Sequence, residues 1–439
     1  MNTNTMPRLL DGVLPKMLLI GFLLVLLWLP VVWILLLVED RSRVHDEVRT
    51  EVGSTWGGPQ HVAGPVVTVP WRSPDRIGPD SRRVQATDVL YLLPERLDID
   101  GEIATEVRRR TIHRVVVYEG VLSFAGVVST RPLEELGVDP AGIRWDEARV
   151  AVAVSDLRGL REVPRLLWEG EERELRSPGT LLGSPAVSAR VPMAPGGEIG
   201  FDLRLELAGN DLLQLVPTGR TTNATLRSAW QHPSFTGAFL PRSHEIGPGG
   251  FRATWSVLDL NRPFPQGWQG SAGPEDVARR LGDAAFGVRV IEPVDPYRLT
   301  SRSVKYSLLV TALTMIAIFA VERGMRERIH PVQYVLAGAA MVLFYLVLLS
   351  LAEMVTFDLA YAVAGVGMVG MVVAYLRAAV RRPRAAWVTG AALVGVHACV
   401  LVILHVSDLA LLLGSLLLVA GLGVLMVLTR HLGDPEMAR

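Results

Sequence analysis

The segment SAWQHPSFTGAFLPR, residues 228–242, gathers Trp230, His232, Phe235 and Phe239 around Pro233, Gly237 and Pro241. An imidazole among aromatic rings could ligate a metal, act as a base or help form a binding surface. The first two roles need partners. The nearest histidine, His244, lies beyond an expected turn, with Glu245 as its one local acidic neighbour. No HExxH, HxH or Cys/His cluster occurs anywhere in the chain, and Ser234 does not sit in a GxSxG elbow. No catalytic residues, no metal and no cofactor are therefore expected. Pro233 biases His232 towards extended backbone and marks a turn. The segment reads first as an aromatic corner closing a β fold, and second as an interaction loop.

A second group of titratable residues lies in or beside long apolar runs: Glu353, His397, His405 and Asp408. Ionisable groups in hydrocarbon are expensive to bury and are functional candidates by default. His397 falls near the middle of its run. It could serve a proton pathway, or sit as a neutral imidazole hydrogen-bonded to a neighbouring helix. Glu353, His405 and Asp408 are expected at the outer ends of three spans. Clustered there, they could relay protons or bind a cation; taken singly, they read as contacts to headgroups or water. A GxGxxG at Gly365, Gly367 and Gly370 lies inside an apolar run, where no βαβ unit can form around it. Close helix packing by small residues, with Ala360, Ala364 and Gly390–Gly395 in the same class, is the expectation for it.

The elements that must position these residues follow from hydropathy. Of 439 residues, 50% are hydrophobic and 20% charged, with a mean hydropathy of +0.32. That balance fits membrane helices joined to a sizeable aqueous domain. The 44 basic and 44 acidic side chains cancel, so no global field attracts nucleic acid. The single cysteine, Cys399, excludes a disulfide framework and a zinc–cysteine site. Met17–Val38 is uncharged and long enough to span a bilayer, and it ends in EDRSR with no small-residue cleavage site, so an uncleaved anchor is expected. Five further runs crowd the C-terminal third: Val304–Val321, Val332–Ala352, Leu359–Leu376, Ala385–Leu404 and Leu409–Leu428.

Two connectors carry the arginines, namely Arg323, Arg326 and Arg328, then Arg377, Arg381, Arg382 and Arg384. The alternate connectors, EMVTFD and HVSD, carry neither Lys nor Arg. With Arg8 and Lys16 before the first span and Arg430 after the last, the positive-inside rule puts both termini in the cytoplasm and residues 39–303 outside. The expected organisation is a cytoplasmic 1–16, a first helix at 17–38, a periplasmic domain at 39–303, a five-helix bundle at 304–428 and a cytoplasmic 429–439. Lys305 and Tyr306 read as interfacial anchors, and His330-Pro331 as a helix start.

Within 39–303, short alternating or β-branched runs such as VVTVPW, HRVVVYEGVLSFAGVV, IGFDLRLEL and FRATWSVL alternate with Gly/Pro clusters. This pattern predicts an antiparallel β-sandwich-like domain inserted between helices one and two, with short helices after EDRSRVHDEVRTEV and in GPEDVARRLGDAAF.

Several segments spread through the chain carry a resemblance: GGPQHVAGPVVTVP at 57–70, SDLRGL at 155–160, LVPTGR at 215–220 and WQHPSFTGAFLP at 230–241. SRSVKYSLL at 301–309, RIHPVQY at 328–334, FYLVLLSLAE at 344–353 and DLALLLGSLLLV at 408–419 extend it. In these pieces and in their order the chain resembles the CreD family of bacterial inner-membrane proteins. Where that family commonly has an acidic residue before the arginine preceding the second span, this chain has Ser301 before Arg302. The resemblance implies a multi-pass inner-membrane protein linked to envelope stress, colicin tolerance and β-lactam response through the Cre two-component regulon. It implies no reaction. Two function classes stand beside it. One is a non-enzymatic envelope-maintenance protein whose β domain binds a periplasmic protein, lipid or cell-wall partner. The other is a proton-coupled transporter using His397, Glu353 and Asp408. An enzyme acting on a lipid-linked substrate is a third, weaker reading.

Overall fold

Twenty apolar residues suffice to cross a bilayer, yet the first helix, α1 (Val13–Trp56), has 44 and continues through Pro30. Its polar continuation EDRSRVHDEVRTEV stays helical, so apolarity sets where the span ends but not where the helix ends. The computed structural model describes residues 13–72, 76–77, 83–84, 87–110, 113–271, 274–290, 296–325, 329–379, 383–406 and 409–429. Asp408 and the arginines Arg8, Arg326, Arg328, Arg381, Arg382 and Arg430 lie outside them. Two compact units emerge: a β unit, Glu47–Pro293, and a helical unit formed by the two ends of the chain.

The β unit contains, in chain order, β1 (Gln60–Arg72), β2 (Arg76–Ile77), β3 (Arg83–Val84), β4 (Thr87–Leu92), β5 (Arg96–Arg110) and β6 (His113–Ser129). After a short α2 (Arg131–Glu135) come β7 (Arg149–Val154), β8 (Arg165–Trp168), β9 (Glu171–Glu174), β10 (Ser177–Leu181) and β11 (Ser184–Arg190). Then follow β12 (Glu198–Asn210), β13 (Leu212–Leu215), β14 (Thr221–Ser228), β15 (Pro233–Gly237), β16 (Ser243–Gly247), β17 (Gly250–Leu258) and β18 (Gly267–Gln269). Helix α3 (Pro274–Asp283) and β19 (Phe286–Val290) close the unit.

Among the described residues these strands form a nine-stranded sheet along β10-β11-β7-β1-β13-β19-β15, to which β4 and β18 attach through β1. An eight-stranded sheet runs β16-β17-β14-β5-β6-β12-β8-β9. Strand β12 shows why: Ile199, Phe201, Leu203, Leu205 and Leu207 alternate inward while polar residues face out. One hydrophobic core joins Val67, Val69 and Val152 of the first sheet to Leu122, Phe124 and Leu205 of the second, so the sheets form a sandwich. Burying each such side chain contributes about 1.5–3 kcal/mol relative to exposure.

The sandwich is not purely antiparallel. Strands β1 and β13 pair in parallel, as do β5 and β14. Parallel partners cannot be joined by a tight hairpin, and each of these pairs is separated by more than a hundred residues, so no local pattern announces them.

In the helical unit, α4 (Pro296–Lys305) leads into α5 (Ser307–Gly324), α6 (Pro331–Ala352), α7 (Phe357–Ala379), α8 (Pro383–His405) and α9 (Ala410–Thr429). Together with the Pro15–Val48 part of α1, the last five make six described helices long and apolar enough to cross a membrane. Helix α6 starts as the sequence predicts, with Pro331 in its first turn. His330 caps it in a box with Gln333.

Small residues do part of the packing expected of them. A side chain on Gly338 would meet Leu27 of α1, and one on Gly390 would meet Val373 of α7. Ala360 and Ala364 are buried. Gly367, Gly370 and Gly395, however, have open space around them. Their positions on α7 and α8 point outward, so close approach does not explain these three.

Candidate functional site

The polar residues of the helical unit resolve into separate groups. His397 is 5% exposed, on the face of α8 that meets α6 and α7. Its ring lies edge-on to Phe344, with centroids 5.0 Å apart, and Tyr361 approaches at 6.2 Å. The imidazole Nδ1 bonds to the carbonyl of Leu393 one turn earlier at 3.0 Å, on its own helix rather than the neighbouring one expected. The interhelical bond is made by Tyr361, whose hydroxyl donates to the backbone carbonyl of His397 at 3.2 Å. The other ring nitrogen, Nε2, is buried with no hydrogen-bond partner among the described residues.

Glu353, just past the end of α6, receives a hydrogen bond from the Tyr297 hydroxyl at 3.3 Å and faces Arg41 of α1 at 3.9 Å. His45 adds its ring 5.6 Å from that of Tyr297. His405 closes α8 and pairs with Asp358, at the start of α7, with Nε2 3.0 Å from Oδ1. A carboxylate–imidazole pair therefore exists, but its carboxylate is Asp358. Glu353 takes different partners, and Asp408 lies outside the described residues. Both side chains of the His405–Asp358 pair are about half exposed or more, as expected of groups at headgroup level.

Sequence reasoning missed the most buried ion pair among the described residues. Glu322, 4% exposed near the end of α5, is bonded to Lys16 of α1. Tyr334 of α6 donates to its second oxygen at 2.7 Å, and the Ile329 amide donates to the first at 3.3 Å. One carboxylate thus ties together α1, α5 and α6. Lys16 and Glu322 each border an apolar run on the same expected side of the membrane. That was the available signal, masked because Glu322 opens an arginine-rich connector.

In the β unit the aromatic segment is part of the fabric. Phe235 on β15 stands edge-on to Phe251 and Trp255 of β17, at 5.9 and 5.8 Å, so the ring cluster bridges the two sheets. Phe239 meets Phe286 at 6.4 Å, and its carbonyl accepts from the Trp255 indole at 3.1 Å. Trp230 donates to the carbonyl of His232 at 3.1 Å. Trp230, Phe235 and Phe239 are half-buried against the core, whereas His232 is exposed.

A second polar knot joins two segments far apart in sequence. Gln60 is fully buried and donates to the carbonyls of Asp156 and Ala208 at 3.2 and 3.0 Å. The Ser155 hydroxyl donates to the Pro59 carbonyl at 2.7 Å. Asp156 accepts from the Gly58 amide at 3.2 Å and from Arg158 through its amide and guanidinium at 2.8–3.0 Å. Beside this knot Trp56, the last residue of α1, lies between the guanidinium groups of Arg108 and Arg161 at 3.6 and 4.0 Å.

The Arg158 hydrogen bond, with help from the Gly58 amide, holds the Asp156 carboxyl below its ordinary range. A carboxyl lowered by folding stabilises the fold above its unfolded value, and that contribution disappears as pH falls through the folded one. Asp156→Asn is therefore expected to lower the melting temperature at neutral pH and to flatten the loss of stability between about pH 5 and pH 3. Melting curves of both proteins across that window check it; parallel curves would refute it.

The chain matches the family described as inner membrane protein CreD over residues 12–433. The chain belongs to the CreD family. The inner membrane protein CreD of Escherichia coli K12 is 30% identical over 419 residues, covering 93% of this chain and 90% of that one. Among solved structures, a Legionella pneumophila protein described as nutrient-binding aligns over 47% of this chain and 72% of that one. With 6% identity and a TM-score of 0.24, it carries no argument. Membership in the CreD family makes the chain a multi-pass inner-membrane protein. In the structure, four of the segments that carry the resemblance lie at junctions. GGPQ and SDLRGL build the Gln60 knot, RIHPVQY supplies Ile329 and Tyr334 to Glu322, and FYLVLLSLAE supplies Phe344 to His397.

Proposed function

We propose that this CreD-family protein is a non-enzymatic component that maintains cell envelope integrity or stress tolerance. Its β unit lies in the periplasm as an interaction or sensing module, and both termini are cytoplasmic. The distribution of arginines between connectors supports this orientation. The observation that carries the interaction reading is the open edge of the eight-stranded sheet. Strand β16 is its last strand among the described residues, and all five of its residues are exposed. Ile246 on that strand and Leu240 just before it are 51% and 74% exposed. An edge with free backbone groups and apolar side chains suits the addition of a partner strand. The sandwich interior, filled by one continuous core, points to recognition on the outside.

A proton-coupled pathway through the helices is the alternative, favoured by the unpartnered Nε2 of buried His397. Complementation of a deletion strain separates the two, scored by detergent sensitivity and periplasmic reporter leakage at matched membrane abundance. Leu240→Lys/Ile246→Lys is expected to fail while His397→Ala and Glu353→Gln rescue. Rescue by the edge variant, with failure of the helical ones, would overturn the interaction reading in favour of transport.

A further inference from the structure

A groove of about 880 Å³ opens in the helical unit between α1, the α4–α5 junction and the first turns of α9. Its walls are apolar, with Leu24, Leu309, Gly414 and Leu418 among them. At one end stand two cations, Arg302 and Lys305, in the last turn of α4. No acidic side chain lines the groove among the described residues, and neither cation has an ion-pair partner among them. This differs from the other bundle cations described above: Lys16 is bonded to Glu322, and Arg41 faces Glu353.

The cations stand immediately before α5, where a span begins, so their charge is at headgroup depth. The apolar wall continues inward. Leu418 is eight residues beyond Ala410, the first residue of α9, or about 12 Å along the helix. Two positive groups at one end of an apolar groove of that depth match a molecule with a phosphate at one end and hydrocarbon at the other.

We propose that this groove binds an anionic phospholipid, its phosphate held by Arg302 and Lys305 and an acyl chain lying along α5 and α9. Gly414 leaves room for the chain: a Cβ added there would meet nothing within 4 Å. The site is independent of the β unit and of the function proposed for it.

Native mass spectrometry of the full-length protein in detergent tests this, with phosphatidylglycerol, phosphatidylcholine and inorganic phosphate as probes. Phosphatidylglycerol is expected to remain bound where phosphatidylcholine is lost, and millimolar inorganic phosphate should not displace it, which separates a lipid from a free anion. Arg302→Gln/Lys305→Gln is expected to weaken phosphatidylglycerol retention about 25-fold, about fivefold for each cation. Gly414→Phe, which keeps both charges and fills the channel, is expected to abolish retention without lowering the melting temperature. Equal retention of the two lipids, displacement by inorganic phosphate, or wild-type retention in the Gly414→Phe protein would each overturn the proposal. The last criterion holds even if the charge variant proves unstable.

Discussion

Lys16→Ala is expected to destabilise the helical unit by about 3–5 kcal/mol, the cost of leaving a buried charge uncompensated. Glu322 is 4% exposed and its partner 14%, so water replaces the ammonium group poorly. The remaining donors, the Tyr334 hydroxyl and the Ile329 amide, are neutral and already engaged. Because Lys16 is the residue of α1 that binds the carboxylate shared by α5 and α6, its loss should loosen the first helix from the others. The double variant Lys16→Met/Glu322→Gln removes both charges while leaving an amide that can still accept from Tyr334. It should recover most of the stability, since replacing a buried pair by neutral groups of similar volume is often close to neutral. The midpoint of thermal loss of helical circular dichroism in detergent reads both proteins. A single variant melting with wild type, or a double variant as weak as the single, would show that the pair does not hold the helices.

The second large effect is expected at Gly237, inside the aromatic segment. Its φ is +107°, in the region glycine adopts freely and other residues do not. An added Cβ would press into the carbonyl of Ala285 and approach the Cα of Phe286 to 2.7 Å, both backbone atoms with nowhere to go. This is where β15 ends beside β19, and the amide of Ala238 donates to the Ala285 carbonyl at 2.9 Å. Conformational strain of about 1–3 kcal/mol adds to a packing cost of similar size. Gly237→Ala should therefore cost about 4 kcal/mol and lower the melting temperature of the β unit by roughly 8–16 °C. His232→Ala, five residues earlier on an exposed side chain, is expected to stay within about 0.5 kcal/mol of wild type. Tryptophan fluorescence of the full-length protein follows both. Should His232→Ala be the damaging change and Gly237→Ala the silent one, the segment works through its imidazole rather than its backbone.

The contrast between these two residues shows what could be read early. Hydropathy alone determined the six spans, because an apolar run of sufficient length has one solution in a bilayer. It determined the β unit too, since EGVLSFAGVV and IGFDLRLEL carry their own period-two burial. The start of α6 was equally local, as a proline and a capping residue act on the next turn only. Strand β5, RLDIDGEIATEVRRR, escaped notice although Leu97, Ile99 and Ile103 alternate inward, because its outward Asp, Glu and Arg lower the mean hydropathy.

Pairing was not legible. The parallel ladders β1–β13 and β5–β14 depend on contacts across more than a hundred residues, and no single segment encodes a distant partner. The polar groups followed the same rule. His405 met Asp358 and Glu353 met Arg41 and Tyr297, since helix packing brings residues to one level regardless of which looked most conspicuous in its own run. Sequence by itself determined which segments enter the membrane and which form strands, because those choices depend on a residue's own solvation and that of its near neighbours. Tertiary structure alone decided that Glu322 needs Lys16, that Asp156 belongs with Gly58, and that Arg302 and Lys305 overlook an apolar groove. A buried charge is satisfied by whatever the folded chain places within a few ångströms, and that distance is set by the packing of whole elements.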